Sequence, residues 1–378
     1  MSAPAQRALL SGNRMTALGA LAAGCRFFSG YPITPSSEIY QAMMEELPAR
    51  NGLALAAPDE ITALAYCVGA SLAGHKAMTA TSGPGFCLMI ETVQYALMTE
   101  TPLVIAIVQR LGPSTGGATQ GAQGDVLLAE HCTSGGFTIP MFAPATAAEC
   151  YELTQWAFHW SEKLRVPVIL LSDKEVGMTL ETIQRDTLPR VEVAMRAPHQ
   201  SSRPFATYAS LCSEEPPPFA PVGGSDRIVA TGSMHDAQGR LRKNTPEALA
   251  VLARLHRKVA AHADEMARFR YVPAAGANTL IISYGITARA AEEATRLLAA
   301  GNTPASFLQL QTLFPIPRCV IQSAIAGCET VVVAEENAGG LYAGAIESLL
   351  AERRVVRVNQ VGAMITPTQI ARAAVESA

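Results

Sequence analysis

The sequence predicts an α/β protein: a parallel sheet covered by helices on both faces, followed by a second, smaller α/β unit. Three observations predict it. Short, continuously apolar runs alternate with helix-like segments from Asn13 to Leu171, the pattern of strands buried on both faces. The alternation breaks between Asp186 and Gly239, where Pro216-Pro217-Pro218, Pro221 and Gly223-Gly224 read as an extended connection. It resumes at Thr279 and runs to Val358. The division expected from this rhythm is a first domain over 1–185, a linker and helix over 186–272, and a second domain over 273–378.

Asn13–Ala23 is rich in Ala and Leu and reads as a helix; Arg26–Ser29 leads into a loop at Tyr31. Pro35–Leu47 reads as a helix with proline at its start, where the missing N–H costs nothing. Leu53–Ala57 is a short apolar strand, and Glu60–Ala73 a helix apolar around most of its surface. Lys76–Ala80 is a strand, Gly85–Met98 a helix and Leu103–Val108 a strand. A loop over Gln109–Gly124 precedes another helix, the strand Thr138–Phe142, the helix Ala147–Glu162 and the strand Val166–Leu171. Beyond the linker, Glu247–Phe269 is a charged amphipathic helix. The second unit alternates Thr279–Ser283, Ala305–Leu310, Thr330–Ala334 and Val355–Val358 as strands with Ile286–Ala300, Arg318–Ala326 and Ala338–Leu350 as helices.

Composition narrows the function. With 378 residues and 49% hydrophobic content the chain can bury the cores of two domains. A net charge of −3 without a basic block argues against nucleic-acid or anionic-membrane partners. Met1–Leu10 has no apolar signal core, and no run approaches the roughly 20 apolar residues of a membrane-spanning helix; the expected location is the cytoplasm. Cys25, Cys67, Cys87, Cys132, Cys150, Cys212, Cys319 and Cys328 are scattered without a C-x-x-C pair, and the histidines have no metal-ligand spacing. The cysteines are expected to be buried and reduced, and no metal site is expected.

Two segments carry the chemistry: Gly30-Tyr31-Pro32-Ile33-Thr34-Pro35-Ser36-Ser37, and Glu60 with the later Thr81-Ser82-Gly83-Pro84-Gly85. Each places turn-forming residues between an apolar run and a helical pattern, where open α/β sheets bind ligands. A carboxylate, hydroxyls and close-approach glycines gathered there suit the wall of an organic-cofactor pocket. Spacing alone admits two roles for Glu60, a cofactor-facing carboxylate or a charge that merely complements a helix N-terminus. Thr34 is equally readable as a turn hydroxyl, Arg110 as a solvated strand-end charge, and the glycines as a plain tight turn. Asp125 reads as a helix cap, and Glu335, Glu336 and Asn337 as packing or subunit contact.

In wording and order these segments resemble the α subunit of the 2-oxoacid:ferredoxin oxidoreductases, most closely the 2-oxoglutarate type with a stand-alone α chain lacking a fused γ domain. The carrying motifs are Gly30–Glu38, Asp59-Glu60-Ile61, Ala77–Met89, Gln109–Gly116 and Gly121–Asp125, then Pro167–Asp173, Leu313-Phe314-Pro315 and Val333–Asn337. The resemblance implies a thiamine-diphosphate-enzyme pyrimidine domain followed by a transketolase-C-terminal-like domain. It implies thiamine diphosphate shared with a β subunit that supplies Mg²⁺ and a [4Fe–4S] cluster. Glu60 would contact N1′ of the aminopyrimidine and so assist removal of the thiazolium C2 proton. Tyr31, Pro32, Ile33, Ser82, Gly83 and Pro84 would line the cofactor, and Thr34 and Arg110 would fix the 2-oxo acid. A guanidinium suits a carboxylate because its fork binds bidentately. The implied reaction converts a 2-oxo acid and CoA to acyl-CoA, CO₂ and reduced ferredoxin, or the reverse, in an α2β2 or larger assembly with or without separate γ and δ chains.

Two departures bear on the substrate: Pro58 stands where relatives carry an acid, and the loop Gly117–Gln123 lacks their Lys and Pro-Glu. The substrate expected is 2-oxoglutarate, with pyruvate, branched-chain and aryl 2-oxo acids as alternatives. Another thiamine-dependent decarboxylase and a non-catalytic pyrimidine-domain protein are the rival readings.

Overall fold

The computed structural model describes residues 7–199 and 204–376; the first six residues of the Met1–Leu10 stretch lie outside them. The first part of the chain contributes β1 (Arg7–Ser11), α1 (Gly12–Ala22), β2 (Phe27–Gly30), α2 (Ser37–Glu46), β3 (Leu53–Ala56), α3 (Glu60–Leu72), β4 (Ala77–Thr81), α4 (Gly83–Met98), β5 (Leu103–Gln109), α5 (Val126–Glu130), β6 (Met141–Phe142), α6 (Ala147–Leu164), β7 (Pro167–Asp173), α7 (Lys174–Met178) and β8 (Leu180–Gln184). A long connection carries α8 (Pro246–Ala260) and α9 (Ala263–Met266) and ends in β9 (Phe269–Val272). The remainder is β10 (Thr279–Ser283), α10 (Thr287–Ala300), β11 (Ala305–Leu310), β12 (Thr312–Phe314), α11 (Arg318–Ala324), β13 (Thr330–Glu335), α12 (Leu341–Ile346), β14 (Arg354–Asn359) and α13 (Pro367–Glu376).

The larger sheet has the order β12-β6-β7-β5-β4-β2-β3 and is parallel from β6 to β3. Its inner strands β2, β4, β5 and β7 are buried and largely apolar because both faces are covered, and side chains alternate between the two faces. In β5, Val104, Ala106 and Val108 pack with α1, α2 and α6, through Ala17, Met43 and Phe158. Ile105 and Ile107 point the other way, against Leu64 of α3 and Phe86 and Met89 of α4. That second core is continuous with Leu280 and Ile282 of β10, Val331 and Val333 of β13, and Tyr342 of α12. The smaller sheet, ordered β14-β13-β10-β11-β9, is closed on its other face by α10 and α13.

Five features depart from the sequence expectation. The helix read over Glu247–Phe269 ends at Met266, and Phe269-Arg270-Tyr271-Val272 pairs antiparallel with β11; its period-2 pattern is that of an edge strand. The Leu313-Phe314 motif lies on β12, which crosses back to pair antiparallel with β6 of the larger sheet. Both strands cross the boundaries expected from composition. β1 and β8 form a separate two-stranded antiparallel sheet, and α13 adds a last helix. Three cysteines expected to be buried, Cys87, Cys212 and Cys319, are exposed, while Cys25, Cys67, Cys132, Cys150 and Cys328 are buried.

The two sheets meet at Gln123, which is fully buried. Its Nε2 donates to Asp173 Oδ2 at 3.2 Å and to the Tyr284 carbonyl at 3.0 Å. Its Oε1 accepts from Thr287 Oγ1 at 2.9 Å and the Glu336 N–H at 3.0 Å. Its own N–H donates to the Glu336 carbonyl at 2.7 Å, and its carbonyl accepts from Asn337 Nδ2 at 3.1 Å. Asp173 Oδ2 also accepts the Ile286 N–H at 2.8 Å.

The proline-rich connection is irregular, as expected, but firmly held. Arg196 pairs with Glu162 at 2.7 Å and reaches Ser71, and Arg165 donates to the carbonyls of Pro217 and Pro218. Beneath it, fully buried Glu100 accepts from Lys258 Nζ at 2.8 Å and from Arg254 Nη2, tying α8 to the end of α4. Burial pushes the Glu100 carboxyl up, but Lys258, Arg254 and Arg165 outweigh it and hold it at about 2, below its ordinary 4.5. Glu100→Gln should therefore leave two buried cations without their anion and cost about 3–5 kcal/mol, read as a lowered denaturation midpoint. In the wild-type chain the contribution of this carboxylate is complete above pH 4.5 and should be lost as pH falls towards 2. A Glu100→Gln chain with an unchanged midpoint would show that this cluster does not hold the connection.

Candidate active site

Four adjacent parallel strands, in the order β3-β2-β4-β5, deliver the site from their C-terminal ends. β3 leads to Asp59-Glu60, β2 to Tyr31–Thr34, β4 to Ser82–Gly85 and β5 to Arg110. Parallel pairing puts all four loops on one edge, where side chains far apart in sequence converge.

Asp59 caps α3, its Oδ1 accepting the Thr62 N–H at 2.7 Å. Hydrogen bonds from the Thr62 backbone and hydroxyl hold the Asp59 carboxyl below its ordinary range. The cap makes Glu60 the first helical residue, at the positive end of the helix dipole. Glu60 is 7% exposed, and its carboxylate accepts no hydrogen bond from any described residue. It lies against Gly85, where an added Cβ would stand 2.7 Å from Glu60 Oε1 and 2.2 Å from Thr81 Oγ1. Position 85 must therefore be glycine for the carboxylate to keep its place. Ser82 is fully buried at the N-cap of α4 with its hydroxyl unpartnered, Gly83 is buried and Pro84 half-buried. Tyr31, Pro32 and Thr34 are exposed and Ile33 half-buried on the neighbouring loop.

Arg110 is 7% exposed, so it is not a solvated strand end. Its Nη1 donates to the Thr34 carbonyl at 2.6 Å and its Nη2 to the Thr115 carbonyl at 2.9 Å, while Nε has no partner. One guanidinium thus ties the Tyr31 loop to the loop after β5. The hydroxyl–backbone bond of the Tyr31 turn is made by Ser36, whose Oγ donates to the Ile33 carbonyl at 2.9 Å.

Arg110 also lines a cavity of about 480 Å³ between the two sheets. Gly83, Cys87 and Asp125 line it from the first sheet, and Glu336, Asn337 and Leu341 from the second; Glu60 and Thr34 are not among its lining residues. Asp125 stands at the start of α5 but makes no cap hydrogen bond. A capping side chain needs an extended backbone, and Asp125 is helical at φ −89°, ψ 0°. Its N–H is held by Gln109 Oε1 at 3.0 Å and its carboxyl packs on Gly83, where a Cβ would meet Oδ1 at 2.5 Å. Burial pushes this carboxyl up to about 6 against the opposing pull of Arg110, and burial and Asp173 push Glu336 up to about 7. Glu335 caps α12 by accepting the N–H groups of Tyr342 and Ala343, so this part of the packing expectation fits, whereas Glu336 and Asn337 also face the cavity. The Gln-Gly-Asp wording was the available signal for Asp125; the contribution of the second sheet had none, because it depends on how the sheets dock.

An unpartnered carboxylate on a buried residue beside a glycine floor suits a hydrogen bond with a ring nitrogen, and the guanidinium on the same sheet edge, with N–H groups to spare, suits an organic anion. Among the described residues no group of His, Cys, Asp and Glu is arranged to hold a metal ion, and no helix is long and apolar enough to cross a membrane.

Known proteins share this architecture. The family model described as pyruvate flavodoxin/ferredoxin oxidoreductase, thiamine diphosphate-binding, matches residues 18–250, and pyruvate:ferredoxin oxidoreductase core domain II matches residues 277–370. A curated relative, 2-oxoglutarate synthase subunit KorA of Methanothermobacter marburgensis, is 38% identical over 88% of each chain. The 2-oxoglutarate:ferredoxin oxidoreductase from Magnetococcus marinus, solved with 2-oxoglutarate, coenzyme A and succinyl-CoA bound, superposes with a TM-score of 0.92 at 30% identity. That match covers 99% of this chain and 66% of the longer one. A split-gene transketolase, at 14% identity and a TM-score of 0.57, shares the fold alone. The chain belongs to the α-subunit family of the thiamine-diphosphate-dependent 2-oxoacid:ferredoxin oxidoreductases.

Proposed function

We propose that this chain supplies the pyrimidine half of a shared thiamine diphosphate site and, with a β subunit, oxidatively decarboxylates 2-oxoglutarate. The observation that carries the reading is the shielded Glu60 carboxylate, free at the start of α3 and held against Gly85. The names of its relatives support 2-oxoglutarate as substrate. In this reading the β subunit brings Mg²⁺ and a [4Fe–4S] cluster, CoA takes the acyl group and ferredoxin the electrons, in an α2β2 or larger assembly.

Thiamine diphosphate, held on this chain's side by Glu60, the Tyr31–Ile33 loop and Ser82-Gly83-Pro84, would supply the carbon nucleophile and the electron sink that the decarboxylation needs. The residues of this chain do the rest on their side of the site. Glu60 accepts a hydrogen bond from the pyrimidine ring nitrogen, in a shielded position where that bond is stronger than in water. The Tyr31–Ile33 loop and Ser82-Gly83-Pro84 flank the ring, and Gly85 keeps the floor open. Arg110 holds the substrate carboxylate through N–H groups not committed to the Thr34 and Thr115 carbonyls, and Thr34 stands beside it.

Three outcomes are expected. The isolated chain should bind thiamine diphosphate weakly and show no iron–sulfur absorbance; a brown preparation of this chain alone would overturn the subunit assignment. Glu60→Gln should assemble normally with the β subunit yet slow C2-proton exchange on bound cofactor by about 10²–10⁴-fold, and an unchanged exchange rate would remove Glu60 from the site. Arg110→Ala should lower kcat/KM for the 2-oxo acid by about 10²-fold or more, the effect of leaving one member of a shielded ion pair alone. Arg110→Lys should lose less but not recover fully, since the fork geometry is gone. Near-normal kcat/KM in the Ala variant at full cofactor content would move carboxylate binding elsewhere.

A further inference from the structure

Asp125 lines the same cavity as Arg110, and the proposed reaction leaves its carboxyl unused. Its carboxyl is packed on Gly83 at the start of α4, its Oδ2 is shielded and unpartnered, and its backbone N–H is fixed by Gln109. Arg110 is held equally firmly, with two of the five N–H groups of a guanidinium on carbonyls and its Nε–H unpartnered. One wall of the cavity thus carries a fixed guanidinium and a fixed carboxyl group; with Arg110 Nε and Asp125 Oδ2 buried, the terminal guanidinium N–H groups and Asp125 Oδ1 are the ones with hydrogen-bonding capacity left for a ligand. A substrate carboxylate drawn to Arg110 meets the Asp125 carboxyl at close quarters. Two carboxyl groups sharing a shielded site cannot both be ionised, so they share a proton.

We propose that Asp125 is a second substrate-carboxylate residue, which in its protonated form donates a hydrogen bond to the carboxylate held by Arg110, so that substrate binding takes up a proton at Asp125. The proton bonds to an Asp125 oxygen and comes from solvent, and no other bond changes. This rests on the reading of Arg110 given above. The surroundings agree with it: nothing donates to Oδ2, and burial pushes the group up to about 6 even with Arg110 nearby. The other groups facing Asp125 are Cys87 from α4 and Glu336 from the second sheet, with Asp173 and Glu175 behind the Gly121–Gln123 segment. The cation beside them, Lys174, is paired with Glu175 at 3.2 Å, so Arg110 is the cation that acts on Asp125. Glu336 is the other carboxyl group lining the cavity, but its Oε1 is already engaged by the Ile365 N–H at 3.1 Å.

The sign follows directly. Free Asp125 is protonated below about pH 6 and ionised above it, so kcat/KM for the 2-oxo acid, which reports the free enzyme, should fall as pH rises through that value. In the assembled αβ enzyme, Asp125→Asn, whose amide donates at every pH, should remove this fall, while Asp125→Ala should raise KM by about 10-fold or more, the loss of one hydrogen bond to a charged group. A residue with a merely structural role would leave the pH profile of the Asn variant like that of the wild type. A second measurement needs no variant and no turnover. Calorimetry of 2-hydroxyglutarate binding to the wild-type complex at pH 7, in buffers of different ionisation enthalpy, should show uptake approaching one proton per site. Zero uptake, a wild-type pH profile in Asp125→Asn, or a profile abolished instead by Glu336→Gln would overturn the proposal. An assembled complex that binds no 2-hydroxy acid and turns over no 2-oxo acid at any pH would overturn the functional reading beneath it as well.

Discussion

The structure depends on a single fully buried amide. Gln123 sits where the two sheets meet, and both its side-chain ends and both its backbone groups are hydrogen-bonded across that seam. A buried polar group of this kind destabilises strongly if left half-paired, because each orphaned atom keeps its full desolvation penalty. The two sheets can therefore dock in one relative position and not in neighbouring ones. Gly285 reports how tight that docking is: at φ +56° a side chain there would be strained, and a Cβ would lie 2.4 Å from Asp173 Oδ2 and 2.5 Å from Gln123 Nε2. The loop from Arg110 to Asp125 ends at this fixed point, so its two charged residues acquire fixed positions as well.

The apolar core supplies the rest of the rigidity. One cluster runs from α3 and α4 through β5 and β7 into β10, β13 and α12, so the two sheets share a core rather than touching through a wet interface. Each fully buried Leu, Ile or Phe side chain is worth about 1.5–3 kcal/mol on burial, and that shared burial is what makes an unpaired carboxylate at Glu60 and an unpartnered buried oxygen at Asp125 tolerable. Two glycines then set the shape of the site. Gly85 gives room to Glu60 and Gly83 gives room to Asp125, so the Thr-Ser-Gly-Pro-Gly wording is a requirement of close approach at two positions rather than of turn formation alone.

The connection between the sheets shows the same economy at the back of the molecule. Between Leu188 and Thr245 its described residues form no helix or strand, yet Arg165, Arg196, Arg254 and Lys258 fix it to buried carbonyls and to Glu100 and Glu162. Charges carry this task because a proline-rich segment offers few N–H groups and little apolar periodicity with which to join a sheet or helix.

The sequence by itself determined the main parallel strands of both sheets, most helices and the identity of the loops that carry the site. The information for these is local: continuous apolar runs, the Asp59 cap before Glu60, and the turn residues after β2 and β4. It also determined that Glu60 and Arg110 lie on one sheet edge, since parallel strands put every following loop on the same side. Tertiary structure alone decided what no local pattern encodes. The short strands β1, β9 and β12 exist because a partner edge was waiting for them, and three to five residues carry too little periodicity to announce it. Asp125 reads as a cap in sequence and becomes a cavity wall in space, because its helical backbone turns the carboxyl away from the N–H groups of α5 and onto Gly83. Glu336 and Asn337 reach the cavity from more than two hundred residues away, by a docking geometry that the single amide of Gln123 fixes.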